Sequence, residues 1–206
     1  MSEEKPSSNY FLIILESLSE SSLERPLTLK EIVDSFGTRC HSLLIIFLIL
    51  PFLQPIPLVG LSTPLGAMIV IVSFLQLLKK NPWIPKRWQN KEIPSKLLIK
   101  IHEIAKKFFG KISKSISPRW SFVFGGMAFD LINFLVVAIL AILLALPLPV
   151  PFTNTVPAIG IFLNGVGYLE KDGALVVLSY IVFLIALVFF GAIGFGVFAG
   201  ADSLLS

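Results

Sequence analysis

Pro55–Thr63 reads PIPLVGLST, and ninety-two positions later Pro147–Thr155 reads PLPVPFTNT. In this ungapped register Pro55 falls on Pro147, Pro57 on Pro149, Ser62 on Asn154 and Thr63 on Thr155. The flanks keep step, since Leu77–Asn81 (LLKKN) falls on Leu169–Gly173 (LEKDG), a polar turn closing each apolar segment. A fixed-period self-match of this kind is the mark of an internal duplication. The repeated unit is a module of helix, broken centre and helix. Each proline ring removes a backbone donor and obstructs the preceding turn, so the centre of each module reads as a break. At membrane depth, freed backbone groups are tolerated only where protein or a water-filled cavity receives them.

Composition places these modules in a bilayer. Hydrophobic residues make up 55% of the 206, charged residues only 15%, and the mean hydropathy is +0.85, whereas soluble domains carry about 25% charged residues. The expected fold is an all-α integral membrane protein: a duplicated broken-helix, re-entrant-like module plus a basic amphipathic interfacial helix. It divides into a polar tail (1–26), a first membrane module (27–82), a basic cytoplasmic segment (83–119) and a second membrane module with a C-terminal transmembrane helix (120–206). The lone Cys40 has no disulfide partner and makes no thiolate metal site, so it reads as a small apolar filler. No metal and no cofactor are expected.

Between Lys79 and Arg119 stand most of the 17 basic residues, against the acids Glu92 and Glu103. By the positive-inside rule this segment is cytoplasmic. Tied to membrane segments at both ends, it has lipid head groups rather than nucleic acid as its anionic neighbour. Within it, Leu97, Leu98, Ile101, Ile104, Ala105, Phe108, Phe109 and Ile112 recur at helical spacing among lysines, the pattern of a helix lying on the membrane face. His102 reads as a solvated histidine, and Trp83 and Trp88 as interfacial anchors.

Along the chain, the apolar run Tyr10–Leu15 is too short for a secretory signal and reads as a short surface helix. Thr28 and Glu31 form a capping box that starts a helix. Leu43–Leu53 is short of the roughly 20 residues of a helical crossing. Either the crossing begins near Ile32, carrying Asp34, Arg39 and His41 with it, or the segment is half of a re-entrant hairpin tipped by PIPLVGLST. Thr63 followed by Pro64 reads as an N-cap with proline at the first helical position, opening a helix over Leu65–Leu78. Trp120–Leu146 is long enough to span. Val156–Leu169 forms a second short helix, and Ala174–Ala201 a full crossing whose Ala192, Gly196 and Gly200 suit internal packing or a homodimer face.

Asp130 and Asn133 share one helical face inside an apolar segment, where a carboxylate is costly and marks a functional site. The repeat register sets them on Thr38 and His41, so Arg39, His41, Asp130 and Asn133 are expected to meet near a pseudo-symmetry axis, with Arg39 and Asp130 as an ion pair. Glu170 and Asp172 read as a solvated interfacial turn. No Ser, His and Asp set, metal-ligand spacing or paired intramembrane carboxylates points to an enzyme, and Gly165 and Gly167 make no phosphate-cradling loop.

PIPLVGLSTPLG, with Pro82 and Trp83 after it, and PLPVPFTNTVPA followed by GYLEKDG resemble the bacterial ExoD family of exopolysaccharide-synthesis membrane proteins. The resemblance runs from about Leu27 to near the C-terminus. It implies a multi-pass cytoplasmic-membrane protein linked to polysaccharide production and, in some relatives, to tolerance of alkaline conditions. The family often carries an acidic-Arg pair where the second module enters the membrane; here Asp130 is followed by Leu131.

Three functions remain open. Helix N-termini capped by Thr63 and Thr155, with Ser62, Thr153 and Asn154 as further donors, suit an anionic lipid carrier or lipid-linked sugar moved between leaflets. Alternatively the chain is a non-transporting assembly or regulatory partner of polysaccharide-synthesis proteins. Ion or proton exchange through Arg39, His41 and Asp130 is the third.

Overall fold

Thr28 opens the first long apolar stretch as the capping box requires. Its hydroxyl accepts from the Glu31 backbone N–H at 3.3 Å while the Glu31 carboxylate accepts from the Thr28 N–H at 2.8 Å. The computed structural model describes residues 10–54, 60–79, 86–112, 116–146, 148, 150 and 152–205, the side chains at 104, 108–112 and 197–205 excepted. Pro55, Pro57, Pro147 and Pro149, as well as Trp83, lie outside the described residues.

In chain order the elements are α1 (Tyr10–Glu24), β1 (Leu27–Thr28), α2 (Leu29–Phe36), α3 (Cys40–Ile49), α4 (Ser62–Leu77), α5 (Lys86–Gln89), β2 (Glu92–Ile93), α6 (Ser95–Ile112), α7 (Met127–Ala145), α8 (Thr155–Glu170) and α9 (Gly173–Leu205). Among the described residues, three stretches are long and apolar enough to cross a membrane: Leu29–Leu53, Met127–Ala145 and Gly173–Gly196. The first of these extends the short Leu43–Leu53 run back to Leu29. Helix α2, a 3-10 turn over Gly37–Arg39, α3 and a second 3-10 turn over Leu50–Leu53 follow one another, bent at Gly37, whose φ of 53° only glycine adopts readily.

Helices α4 and α8 are each 16 residues, about 24 Å at 1.5 Å per residue. Each packs on helices distant in sequence: α4 lies against α7, and α8 against α3 as well as α9. Small residues permit the close crossings. A Cβ on Gly66 would sit 2.8 Å from the Ala141 carbonyl oxygen and 3.1 Å from the Ala145 Cβ, and one on Gly165 would sit 2.9 Å from Ile46 Cγ1. Around these crossings Ile49, Phe52, Ile69, Leu140, Leu144 and Ile161 form the buried core. Gly66→Ala is expected to destabilise the bundle by about 1–3 kcal/mol, because the clash is with backbone that a rotamer change cannot relieve. Thermal unfolding in detergent followed by circular dichroism measures this, and an unchanged midpoint would contradict the close α4–α7 crossing.

At the end of the bundle where α3 leads into α4, and α7 into α8, two side-chain bonds join the halves. Thr63 Oγ1 donates to the Ala145 carbonyl at 3.1 Å, and Thr155 Oγ1 donates to the Gln54 carbonyl at 3.4 Å. The expectation that Thr63 caps its own helix is corrected. Helix α4 begins two residues earlier, at Ser62 with Leu61 in the N-cap position, and the Thr63 hydroxyl is spent on an unpaired carbonyl at the C-terminus of α7.

The opposite end carries a second layer. Helix α1 extends well beyond the expected Tyr10–Leu15 and packs antiparallel on α6, burying Leu12, Leu15 and Leu18 against Leu98 and Ala105, with Leu27, Phe36 and Cys40 beneath. Strands β1 and β2 pair antiparallel, Leu27 opposite Ile93, and tie this layer to the start of α2. Thus the Leu98–Ala105 side of α6 meets α1 and not lipid. His102, expected in solvent, is half-buried at that seam with Nδ1 3.5 Å from Ser19 Oγ.

Candidate functional site

The first turn of α7 and the last turn of α4 meet at the end of the bundle nearest α1 and α6. Asp130 sits in that first turn, where the helix dipole favours a negative charge. Its carboxylate is 12% exposed and its Oδ2 lies 2.9 Å from the Lys79 ammonium. Lys79 follows α4 in a left-handed conformation (φ 50°), its N–H closing on the Gln76 carbonyl at 3.0 Å. Its side chain is 67% exposed, so a half-buried acid is held by a cation that solvent reaches.

Below the pair lies a cavity of about 20 Å³ whose polar lining is Ser73, Gln76, Asp130, Asn133 and Tyr168. That is room for about one water molecule. Tyr168 on α8 and Tyr180 on α9 carry hydroxyls that are buried without a hydrogen-bond partner among the described residues. Next to them a polar line crosses three helices. Asn164 Nδ2 of α8 donates to Asn133 Oδ1 of α7 and, at 3.2 Å, to Ser179 Oγ of α9, while Ser179 Oγ donates to the Val176 carbonyl at 2.6 Å. Asn164→Leu is expected to cost about 1–2 kcal/mol, since it strips two interhelical bonds and orphans Asn133. An Asn164→Leu variant that unfolds at the wild-type midpoint would argue against the network.

Of the four residues expected to meet near a common axis, Asp130 and Asn133 line this cavity and Arg39 and His41 do not. The expected Arg39–Asp130 ion pair is replaced by Lys79–Asp130. Arg39, in the turn before α3, donates through Nη1 to the Leu169 carbonyl at 3.1 Å and stacks 3.6 Å over the Tyr10 ring. A helix C-terminus with unpaired carbonyls and an aromatic face satisfy a guanidinium as well as a carboxylate would. His41 is 1% exposed, its Nδ1 3.0 Å from the Thr38 carbonyl and its Nε2 without a partner among the described residues.

Glu170 and Asp172 are not a solvated turn. Both are buried, and each receives backbone donors at a helix start. The Glu170 carboxylate accepts from the N–H groups of Tyr10 (2.8 Å) and Phe11 (3.1 Å), the first residues of α1. Asp172 accepts from the N–H of Ala174 at 3.0 Å, from the N–H of Ser117 at 3.2 Å and from Arg119 Nε at 2.9 Å. The cap on Ala174 was visible as an Asp-Gly pair ahead of an apolar helix, whereas the bond from Glu170 to α1 joins residues 160 positions apart.

The motif residues expected to bind an anion lie at the far end, away from Asp130. Ser62 is buried at the start of α4, Thr153 Oγ1 donates to the Val150 carbonyl at 2.8 Å, and Asn154 occupies the N-cap position of α8 without a side-chain capping bond. With the Thr63 and Thr155 bonds, three of these hydroxyls are engaged by backbone carbonyls. The expected set is therefore divided between two ends. Lys79, Ser73, Gln76, Asn164, Tyr168 and Tyr180 were absent from it. The uncharged ones read as ordinary helix residues, and Lys79 as a positive-inside lysine. Among the described residues, no three His, Cys, Asp or Glu side chains cluster as a metal site.

The chain matches the family described as "Exopolysaccharide synthesis, ExoD" over residues 12–192. It is 32% identical to Protein ExoD of Rhizobium meliloti (strain 1021) over 179 residues, covering 86% of this chain and 75% of that one. It is also 29% identical to Uncharacterized protein slr1875 of Synechocystis sp. (strain ATCC 27184 / PCC 6803 / Kazusa) over 147 residues, 70% of this chain and 68% of that protein. No solved structure matches. A helical chain with three membrane-length apolar stretches that aligns over most of its length with these sequences belongs to the ExoD family of exopolysaccharide-synthesis membrane proteins.

Proposed function

We infer that the protein is a non-enzymatic, multi-pass protein of the bacterial cytoplasmic membrane that moves an anionic lipid carrier or lipid-linked sugar during exopolysaccharide synthesis. The observation that carries this reading is the half-buried Asp130 held by the solvent-reached Lys79 above a polar cavity. Ionisable groups within membrane segments are costly and mark substrate pathways. A phosphate head group arriving at the basic face competes with Asp130 for the Lys79 ammonium, and release of that pair frees α4 from the start of α7. The crossed packing of α4 on α7 and α8 on α3, with Thr63 and Thr155 each bonded into the other half, supports two duplicated hairpins that act as paired bodies. The site is thereby assigned to the Asp130 end, because the hydroxyls at the motif end are engaged by carbonyls.

A cavity of about 20 Å³ is far below the roughly 300 Å³ of a small-molecule site, so transport requires the hairpins to part. If they do not, the chain is a non-transporting partner of a polysaccharide machine. Reconstitution in liposomes with a fluorescent polyprenyl-phosphate analogue separates the two. Leaflet exchange faster than in protein-free vesicles supports the carrier, and no exchange by folded protein leaves the partner role.

A further inference from the structure

Helix α6 has more apolar surface than its neighbours cover. Leu98 and Ala105 are buried against α1, yet Leu97 and Ile101, one turn apart on another side, remain 47% and 39% exposed. Beside them stand Lys96, Lys100 and Lys107, all exposed, with Glu103 as the acid among them. Helix α1, which covers the other side, turns Glu16, Glu20 and Glu24 outward. The two-helix layer is thus sorted by charge, acidic on the α1 side and basic on the α6 side. In sequence, α6 lies between the membrane-length stretches Leu29–Leu53 and Met127–Ala145. Exposed aromatics, Trp88 at 48% and Trp120 at 52%, flank α6 in sequence, and such rings favour the headgroup level.

We propose that this outer face of α6 docks on an anionic lipid surface, Leu97 and Ile101 entering the boundary between head groups and acyl chains while Lys96, Lys100 and Lys107 meet lipid phosphates. A short apolar stripe edged by lysines is the arrangement that binds an interface in plane, and each lysine near an anionic leaflet strengthens binding about fivefold. The acidic α1 side is repelled by the same charge, which selects α6 as the face that docks. This inference does not depend on transport.

The test uses the full chain in nanodiscs of phosphatidylcholine alone or with about one-third phosphatidylglycerol. Backbone hydrogen exchange over α6 is expected to slow several-fold in the anionic discs, to lose that protection in high salt, and to lose it in the combined variant Lys96→Gln, Lys100→Gln, Lys107→Gln. A bimane label on Ile101→Cys, in a Cys40→Ala background, is expected to be quenched by acyl-chain nitroxides in anionic discs only. Equal exchange in both lipids, or a label open to aqueous iodide in both, would overturn the proposal and leave an acidic protein as the occupant of this face. Hydrogen exchange on the unlabelled chain keeps the test valid if the cysteine variant fails to fold.

Discussion

Asp172→Ala is expected to destabilise the protein by about 1–3 kcal/mol, the cost of losing a buried acceptor that three donors bond. The carboxylate is fully buried and holds three donors from two parts of the chain, the N–H groups of Ser117 and Ala174 and Arg119 Nε. Arg119 is 46% exposed on its side chain, so solvent screens the charge component, which keeps the figure below that of a fully buried pair. The junction beneath has no slack. Gly173 N–H donates to the Arg119 carbonyl at 2.8 Å, and a Cβ on Gly173 would lie 2.5 Å from the Trp120 carbonyl oxygen. Thermal unfolding of detergent-solubilised protein measures the loss. Asp172→Asn keeps an acceptor for Ala174 and is expected to lose about half as much. If both variants unfold with the wild type, the buried carboxylate is not what joins the basic segment to α9.

Asp130→Asn is expected to slow leaflet exchange of the polyprenyl-phosphate analogue at least tenfold, about 1.4 kcal/mol or more of lost coupling, with the unfolding midpoint displaced by about 1 kcal/mol or less. The stability effect is small because Lys79 is largely exposed and regains water when its partner goes. The functional effect is large because the variant keeps the side-chain shape but removes the charge that an incoming head group must displace. Lys79→Gln, which removes the other half of the pair, is expected to slow exchange comparably, whereas Lys79→Arg retains part of it. Full exchange by Asp130→Asn would remove Asp130 from the pathway while leaving the membrane fold untouched.

Much of the secondary structure was legible because local chemistry dictates it. The polar, Pro-rich and Asp-Gly punctuation placed the ends of α4 and α8 within a few residues, and the Thr28–Glu31 capping box formed as the spacing requires. The N-terminal helix was underestimated. The polar residues of Glu16–Glu24 hide a buried row, Leu15, Leu18, Ser19 and Ser22, that becomes visible only when α6 supplies the facing surface. For the candidate site, Asp130 and Asn133 stood out as polar residues in an apolar segment, and both line the cavity. Their partners did not stand out, since Lys79, Asn164 and Tyr168 come from other helices and nothing in their own neighbourhoods distinguishes them.

Composition and periodicity by themselves determined that the chain is helical and membrane-embedded, because burial of apolar side chains and satisfaction of backbone donors within a helix are decided residue by residue. Which charged groups pair was decided only by tertiary structure. Arg39 had two suitable neighbours in principle, a carboxylate and a helix C-terminus, and the crossing of α3 with α8 brought it the Leu169 carbonyl and the Tyr10 ring. The crossing of α4 with α7, set by the absence of a side chain at Gly66, brought Lys79 to Asp130. An ion pair needs contact within about 4 Å, and that distance is a property of how helices cross, which sequence spacing does not encode.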